Sequence, residues 1–293
     1  MPKTAGNDLD YITKLPLERV NCNICEIDDA AVLIREHSNL VKCKSCGLVY
    51  FNPRPTKEAL IQYYNSELGY ASCLRETKEP KSFPSDYFNR SLGTAAKLTG
   101  KKESLLDVGS GYGNFTLYAK SQGWKDLHGV ELSVEAADFV RKKGISISTG
   151  TLRDANYPDE KFNLVNMDHV LEHVPDPSAD LAEVARILKK GGITHVCVPN
   201  ISSFSFFIQR KRWVFKSFPN HLYYFSPSSL AKILSKVGLK VIDLKTTPMH
   251  SANVEEKILS SFWIPKALIP GFVSYILKKN WGASITCIAR KPA

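Results

Sequence analysis

Short apolar segments alternate with amphipathic segments from Ser104 to the end of the chain. Apolar runs of this length, bounded by polar and turn residues, predict β-strands. We predict seven strands, at 104–108, 127–131, 145–148, 162–167, 193–198, 239–244 and 283–290. Because several of these runs are apolar without alternation, we expect both faces of their sheet to be covered.

The segments between these strands have the period of amphipathic helices, and several end in glycine after a basic last turn, which is a common helix stop. Strand–helix alternation predicts an α/β fold with a mostly parallel sheet and helices on both faces. Ligands of such sheets bind beyond the carboxyl ends of the strands. We therefore expect the functional site at that edge.

The N-terminal region contains two CxxC pairs, Cys22 with Cys25 and Cys43 with Cys46, separated by seventeen residues. This spacing is typical of a four-thiolate zinc site. The excursion between the pairs predicts a hairpin with AAVLIRE and LVKC as its strands. Gly47 suits the positive φ of a cysteine turn. Four thiolates leave no open coordination position, so we predict a structural Zn²⁺ in a small zinc ribbon.

The first core strand runs into three closely spaced glycines, Gly109, Gly111 and Gly113, in LLDVGSGYGNF. A dinucleotide fingerprint needs its third glycine at Asn114, and a P-loop continues as Gly-Lys-Ser or Gly-Lys-Thr, so neither is predicted. The glycines allow a ligand to approach the backbone closely. Asp107 places a carboxylate beside this turn, which disfavours a phosphate and favours an ammonium group.

Glu131 ends the second strand, where an acid can accept hydrogen bonds from ribose hydroxyls. An ammonium group near Asp107 and a ribose near Glu131 together indicate S-adenosylmethionine as the cofactor.

The ordered segments of the core resemble the class I S-adenosylmethionine-dependent methyltransferases over about residues 100–200. These segments are LLDVGSGYGNF, GVELS, GTLRDANYPDEKFNLVNMDHVLEHVPDP and ARILKKGG before ITHVCVPN. The resemblance implies a Rossmann-like, seven-stranded sheet whose last strand, near 283–290, is antiparallel. The CxxC pairs, CGLVYFNPRP and HLYYFSPSSL are similar to the zinc-ribbon-bearing methyltransferases, which often act on sugars and glycans.

The resemblance also implies a donor site. Asp107, Gly109 and Gly111 would bound the methionine part, and Glu131 would hold the ribose. Thr151 stands beside the adenine, where the family more often has an acid. The full set of expected donor-binding residues is Asp107, Gly109, Ser110, Gly111, Gly113, Glu131, Leu132, Thr151, Leu152, Met167 and Asp168.

Two segments contain candidates for a general base, which is needed only if the acceptor loses a proton. In MDHVLEHV, His169 follows the fourth strand, and Glu172 and His173 come within a turn. Either histidine is a candidate base, and the three side chains together are candidate metal ligands. The family's EH pair usually caps and packs the following helix, which favours a structural role for His173.

The second segment, FPNHLYYFSP, follows the fifth strand and brings a histidine next to two tyrosines. A histidine titrates near neutral pH, so we predict His221 as the main base or acceptor-positioning residue. His169 and Tyr224 are the other catalytic candidates.

The last third of the chain is basic. Residues 201–293 contain 14 Lys and Arg against 3 Asp and Glu, whereas residues 1–200 contain 25 against 26. In SFSFFIQRKRWVFKSF at 203–218, cationic residues alternate with aromatic ones. This pattern has three interpretations: an inserted helix with a basic outer face, a lid whose cations cover an acidic acceptor, or a helix that lies on a membrane surface. The segment 258–279 is strongly apolar but is interrupted by Pro265 and Pro270.

The predicted organisation is a zinc ribbon at 18–55, a helical linker or flap at 56–99, and a methyltransferase domain at 100–293 with an acceptor-side insertion at 201–225. No apolar run reaches 18 residues and no signal-peptide core is evident, so we expect a cytoplasmic protein. Paired cysteines and a reducing compartment agree with metal binding rather than disulfides.

The predicted function is S-adenosylmethionine-dependent methyl transfer to a small-molecule or glycan-type acceptor that carries an anionic or phosphate-linked group. One alternative is a quinone or lipid-precursor methyltransferase that contacts the inner membrane surface. Another is an RNA methyltransferase, although NMDH at the fourth strand end lacks the Asn-Pro-Pro-aromatic signature of base-amino methylation. A module that binds the cofactor or a partner without catalysis is a further alternative, which the intact donor motifs disfavour.

Overall fold

The computed structural model describes residues 11–64, 66, 85–248 and 268–293. The core of the molecule is a seven-stranded sheet. Its strands are β6 (Ser104–Val108), β7 (Asp126–Glu131), β8 (Ser146–Thr149), β9 (Phe162–Asp168), β10 (Leu188–Pro199), β12 (Lys240–Thr247) and β13 (Ser284–Arg290).

The strand order is β12-β13-β10-β9-β6-β7-β8. The neighbours from β10 to β8 are parallel, and β13 runs antiparallel between β10 and β12. This arrangement confirms the predicted seven-stranded sheet with an antiparallel last strand. All seven strands were predicted from their apolar runs, with bounds that differ mostly by one to three residues.

Helices cover both faces of the sheet. They are α1 (Lys57–Tyr64), α2 (Ser85–Thr99), α3 (Asn114–Ser121), α4 (Val134–Arg141), α5 (Pro177–Ile187), α6 (Phe204–Gln209), α7 (Pro227–Lys236) and α8 (Ile269–Lys278). Side-chain oxygens cap several helix starts. Ser133 accepts from Ala136 N at α4, and Ser226 forms a capping box with Ser229 at α7. These caps satisfy backbone N–H groups that a helix start leaves unpaired.

The two faces of the sheet have separate cores because successive strand residues point to opposite sides. Leu105 packs with α2, α3 and α4 on one face. Leu106 packs on the other face with α5, α7 and the N-terminal cysteines Cys22 and Cys43. The cysteine-containing region is therefore part of the same hydrophobic core as the sheet.

The N-terminal region forms its own strands, β1 (Leu17–Glu18), β2 (Ala30–Ile34), β3 (Leu40–Cys43), β4 (Val49–Phe51) and β5 (Arg54–Pro55). The antiparallel pair β2–β3 is the predicted hairpin. Strand β11 (Tyr223–Tyr224) pairs antiparallel with β4, which gives a four-stranded sheet in the order β11-β4-β3-β2. The predicted acceptor segment thus completes the sheet of the N-terminal region.

Two expectations need correction. The expected helix over 203–218 ends at Gln209, where Arg210 takes a positive φ of 47°, and a 3-10 turn, Arg210–Arg212, follows. The segment ILKKGG was expected to form the end of a helix. Instead, α5 ends at Ile187 and β10 begins at Leu188, and the pairing of β10 with β9 shifts register between Leu188 and Ile193.

Parts of two predicted segments lie outside the described residues: 65 and 67–84 of the linker or flap at 56–99, and 258–267 of the apolar segment at 258–279. Among the residues that are described, no helix is long and apolar enough to cross a membrane.

Candidate active site

The glycine turn after β6 lies against the segment that follows β9. Gly109 has a φ of 69°, and a Cβ at this position would lie 2.6 Å from Cγ2 of Val170. Gly113 has a φ of 78°, and its Cβ would lie 2.8 Å from Cγ2 of Val140. Both positions therefore require glycine, for backbone conformation and for space. The close approach of Val170 to Gly109 places residues 169–173 beside the predicted donor site.

Glu131 joins the end of β7 to the glycine turn. Its Oε2 accepts a hydrogen bond from Gly111 N at 2.8 Å, and its Oε1 accepts one from Ser133 N at 2.8 Å. A carboxylate has about four acceptor positions, so each oxygen retains capacity for a ligand hydroxyl. Leu132 follows with its side chain 54% exposed, which leaves an apolar surface beside the carboxylate.

Asp107 is more deeply buried than its predicted role suggests. The side chain is 4% exposed, and Oδ1 accepts a hydrogen bond from Asn166 Nδ2 at 2.7 Å. Asn166 Oδ1 in turn accepts from His195 Nδ1 at 2.7 Å. These three residues lie directly opposite one another on β6, β9 and β10. Burial lowers the pKa of His195 to about 4, so the imidazole is neutral.

Asn166 and His195 were not predicted from the sequence. The signal was present as two polar residues inside otherwise apolar strands, in FNLVNMD and ITHVCV. A buried polar side chain needs a hydrogen-bond partner, and neighbouring parallel strands can supply it.

At the position predicted to flank the adenine, Thr151 and Asp154 form a reciprocal pair. Asp154 Oδ2 accepts from both Thr151 N at 3.0 Å and Thr151 Oγ1 at 2.6 Å, and these bonds lower the pKa of Asp154. Thr151 thus has a carboxylate beside it, although the acid stands at position 154 and not at 151. Leu152 is buried.

At the end of β9, Met167 is fully buried and Asp168 is half-buried. His169 has a φ of 55° and a side chain 40% exposed. Its Nδ1 donates to Glu172 Oε1 at 3.0 Å, and its Nε2 lies 3.8 Å from Cys197 Sγ. Burial opposes the charged imidazole, but Cys197 and Glu172 beside it raise the pKa of His169. His169 is thus an exposed histidine oriented by a buried carboxylate.

Glu172 itself is fully buried, and two further histidines surround it. Burial would raise the pKa of Glu172, but the bond from His169 and the nearby imidazoles lower it to about 2. The rings of His173 and His221 lie 4.6 Å apart between centroids. Burial and the neighbouring His173 lower the pKa of His221 to about 3. The structure thus brings together the two predicted catalytic segments.

Tyr224, the third predicted catalytic residue, lies inside the hydrophobic core. It is 1% exposed, its ring packs beside Trp213 and Phe51, and its hydroxyl accepts from Ser217 N. Burial raises its pKa. Tyr223 is equally buried, and its hydroxyl donates to Pro175 O at 3.0 Å. Both tyrosines therefore shape the loop that presents His221.

In the basic segment at 203–218, two cations contact other side chains and two are exposed. Lys216 forms an ion pair with Glu36, and the guanidinium of Arg210 lies over the rings of Phe206 and Phe207. Lys211 and Arg212 are exposed on the 3-10 turn. Because this segment follows β10, it leaves the sheet at the same edge as the glycine turn.

The four N-terminal cysteines converge. All four are free, and their sulfurs lie within 4.8 Å of one another, with Cys22 to Cys46 at 3.4 Å and Cys25 to Cys43 at 4.0 Å. Four thiolates about 2.3 Å from a tetrahedral ion lie about 3.8 Å apart, so these distances fit zinc.

Each CxxC turn is followed by a residue with positive φ, Glu26 at 63° and Gly47 at 81°. The predicted turn at Gly47 is confirmed.

The first cysteine turn also contacts the active-site side of the sheet. Asn23 Nδ2 donates to Asp176 Oδ1 at 2.9 Å, and Asn23 Oδ1 accepts from Ser178 N at 2.8 Å. Asp176 is the N-cap of α5, the helix that follows residues 169–175. Lys236 donates to the carbonyl of Ile24 and to Glu26. The cysteine-containing region is thus attached to the start of α5 and to the end of α7.

Comparison with known proteins identifies the family of the chain. A family model described as a methyltransferase domain matches residues 81–244. A protein of Thiobacillus denitrificans named ubiquinone biosynthesis O-methyltransferase is 30% identical over 169 residues, which cover 53% of this chain and 71% of that protein.

Two solved structures show the same fold. An S-adenosylmethionine-dependent methyltransferase from Archaeoglobus fulgidus aligns with a TM-score of 0.51 at 18% identity, covering 78% of this chain and all of that one. A methyltransferase from Haloferax volcanii, solved with its Trm112 activator, aligns with a TM-score of 0.51 at 16% identity, covering 71% and 94%. Together with the sheet order and the glycine turn, these matches show that the chain belongs to the class I S-adenosylmethionine-dependent methyltransferases.

Proposed function

We propose that this methyltransferase methylates a hydroxyl oxygen of a small-molecule acceptor that carries an anionic group, such as a phosphate-linked sugar. The observation that carries the proposal is the His169–Glu172 pair at the carboxyl end of β9. A hydroxyl acceptor must lose its proton on methylation, and an exposed imidazole held by a buried carboxylate suits that task.

The donor would be held by the residues around the glycine turn. Glu131 retains acceptor capacity for ribose hydroxyls, Leu132 offers an apolar surface to the adenine, and Asp107 lies at the end of β6, two residues before Gly109. These residues suit the donor chemically. Glu131 can bind the ribose diol, Leu132 can pack on the adenine ring, and the glycine turn allows the donor to approach the backbone closely. Ser110 adds a buried hydroxyl oxygen without a hydrogen-bond partner.

The reaction then needs little beyond positioning and one proton transfer. When bound, S-adenosylmethionine supplies a methyl carbon on a positively charged sulfur, and that bond breaks as the acceptor oxygen bonds to the carbon. His169 donates through Nδ1 to Glu172, and in the neutral form of the ring Nε2 accepts the hydroxyl proton. Because Cys197 and Glu172 raise the pKa of His169, this neutral form becomes more populated as pH rises. Glu172 orients the imidazole and stabilises its charged form.

Among the predicted candidates, we assign proton transfer to His169 rather than to His221. His169 stands at the strand end with its side chain 40% exposed. His221 is half-buried with its Nδ1 inaccessible, and burial and His173 lower its pKa to about 3, which makes it a weak base near neutral pH. The anionic part of the acceptor would bind Lys211 and Arg212, which are exposed on the segment that follows β10.

The four cysteines would hold a structural Zn²⁺. Its function would be to shape the first cysteine turn, whose Asn23 supports the start of α5. The zinc would therefore act on catalysis through the segment that contains His169 and Glu172, without contact with the acceptor.

The second candidate function is methylation of a hydroxylated quinone precursor at a membrane surface. It is favoured by the name of the Thiobacillus relative and by the exposed side chains of Phe207 and Val214 beside the basic turn. Both candidate functions methylate a hydroxyl group, but the acceptor is a phosphate-linked sugar in the first and a quinone precursor in the second.

An acceptor panel with a methyl-labelled donor tests the proposal. It would contain nucleotide-linked and phosphorylated sugars, polyprenylated catechols in vesicles and a mixed RNA. We expect a methyl ether on a phosphate-linked sugar; an ether only on the catechols would favour the second candidate. His169→Ala should lower kcat about 100-fold or more with unchanged donor affinity, and His37→Ala, an exposed histidine of the excursion, should change neither. A methyl group on nitrogen or carbon, or wild-type kcat in His169→Ala, would overturn the assignment.

A further inference from the structure

Two clusters of potential metal ligands lie outside the four cysteines in the part of the chain that the structure describes. One consists of Asp168, His169 and Cys197, and the other of Glu172, His173 and His221. The first cluster lies at the end of β9, among residues assigned above to the donor and to proton transfer. Its His169 already donates to Glu172, so we do not consider it as a metal site. In the second, His173 and His221 have no part in the proposed methyl transfer.

Glu172 is the centre of this second cluster. Its side chain is 0% exposed. Oε1 accepts from His169, but Oε2 is buried without a hydrogen-bond partner. An ionised carboxylate with one unsatisfied oxygen in the interior costs several kcal/mol, and a cation at that oxygen would offset the cost.

His221 presents a second unsatisfied atom. Its Nδ1 is also buried and without a hydrogen-bond partner. Its ring stands nearly perpendicular to that of His173, with an angle of 87° between the ring planes. A cation bound between these neighbouring side chains would satisfy both buried atoms.

His173 is oriented as a metal ligand commonly is. Its Nδ1 lies 2.9 Å from Asn220 O, to which it donates. With the proton on Nδ1, Nε2 is the ring nitrogen that acts as the metal ligand in this tautomer. Metal-binding histidines usually donate their other ring N–H to a carbonyl or carboxylate in this way, and bound carboxylates are themselves hydrogen-bonded. His169 supplies that second bond to Glu172.

We propose that Glu172, His173 and His221 bind a divalent transition-metal ion. One ligand atom from each residue lies within 4.8 Å of the others. Around one ion, such atoms lie about 3 to 3.5 Å apart, so an adjustment of at most about 2 Å closes the site. Two imidazoles and one carboxylate suit zinc, iron, manganese or cobalt better than magnesium.

Three protein ligands leave coordination positions open. Because Val170 packs on Gly109, the site lies close to the predicted donor site. Its role as a Lewis acid toward the acceptor hydroxyl rests on the proposed function above, whereas metal binding itself does not.

Cobalt binding to the full chain tests the proposal. With zinc retained in the cysteine site, Co²⁺ would be titrated and both bound cobalt and the visible spectrum measured. We expect one additional ion per chain, with ligand-field bands and without the thiolate-to-cobalt charge transfer that the cysteine site would give. Glu172→Gln and His221→Ala should each weaken this binding at least about tenfold, and His37→Ala should not change it.

Failure to retain a second ion in the wild type would overturn the proposal, as would a second ion that binds Glu172→Gln and His221→Ala as tightly as the wild type. The wild-type result is decisive even if a variant does not fold. The cobalt titration contains neither methyl donor nor acceptor. A failed methyl-transfer assay would therefore leave its result unaffected and would count only against the proposed function.

Discussion

Asn23, in the first cysteine turn, donates to Asp176, the N-cap of the helix that follows the active-site segment, over a distance of 2.9 Å. The two residues are far apart in sequence and belong to regions that were predicted as separate domains. Their bond provides a physical route from the cysteine site to residues 169–173, where we propose that the proton transfer takes place.

The first prediction concerns that bond. Asn23→Ala removes the side-chain bonds to Asp176 and Ser178 and should lower the free energy of unfolding by about 1 to 2 kcal/mol. Turnover should fall more than donor affinity, because the change acts on the segment before α5. The control is Asn21→Ala, whose side chain donates only within the cysteine turn, to Glu26 O. Equal effects of the two substitutions would contradict the proposed route.

The second prediction concerns Gly109. Gly109→Ala places a methyl group 2.6 Å from Val170 Cγ2 in a left-handed conformation, so the glycine turn must move. We expect donor affinity to fall at least about tenfold and the free energy of unfolding to fall by about 2 kcal/mol. Calorimetry with S-adenosylhomocysteine and urea denaturation measure the two quantities.

Gly93→Ala is the matched control, because Gly93 lies in α2 with nothing within 4 Å of its Cβ position. It should stabilise the protein by about 0.5 to 1 kcal/mol. Normal donor affinity in Gly109→Ala would show that the turn does not contact the donor.

The third prediction is a pH dependence from His195. Burial lowers its pKa from the ordinary value of 6.5 to about 4, so between these values the unfolded chain binds more protons than the folded one. Stability from this residue is complete above pH 6.5 and is lost as pH falls toward 4, by up to about 3 kcal/mol. His195→Gln should therefore flatten the curve of unfolding free energy between pH 4.5 and 6.5. A mutant curve parallel to that of the wild type would argue against a buried neutral imidazole.

The fourth prediction concerns the cysteine site. Cys46→Ser removes one of the four converging thiolates and should reduce thiolate-bound zinc and lower the melting temperature. Cys287→Ser is the comparison, because Cys287 is equally buried but lies in β13, away from the cluster. It should also lower stability yet retain the zinc. If both variants and the wild type contain no zinc after purification from rich medium, the ribbon assignment is wrong.

Much of the fold was predictable because its signals are local. Apolar runs located all seven strands, and the CxxC spacing located the four cysteines that converge. What the sequence did not reveal depends on contacts between distant segments. The pairing of β11 with β4 joins Tyr223 to Tyr50, which no local pattern specifies.

The candidate site shows the same division. Glu131 was placed correctly at the end of its strand, where it lies on the glycine turn, because strand ends can be located from sequence. The burial of Tyr224 and the meeting of His173 with His221 could not be foreseen, because both depend on how the loop after α6 folds back onto the segment after β9.

The most direct test of the central claim is calorimetric titration of S-adenosylmethionine and its demethylated product into the wild type and Glu131→Gln. Glu131 Oε2 accepts from Gly111 and would also hold the ribose, so the loss of its charge should weaken binding about 10- to 100-fold, which corresponds to about 1.5 to 3 kcal/mol. Val134→Ala, an exposed apolar position on the adjacent helix, should bind both ligands like the wild type. Measurable wild-type binding that depends on Glu131 is the predicted result; no binding to folded wild-type protein, or equal binding by Glu131→Gln, would contradict the account.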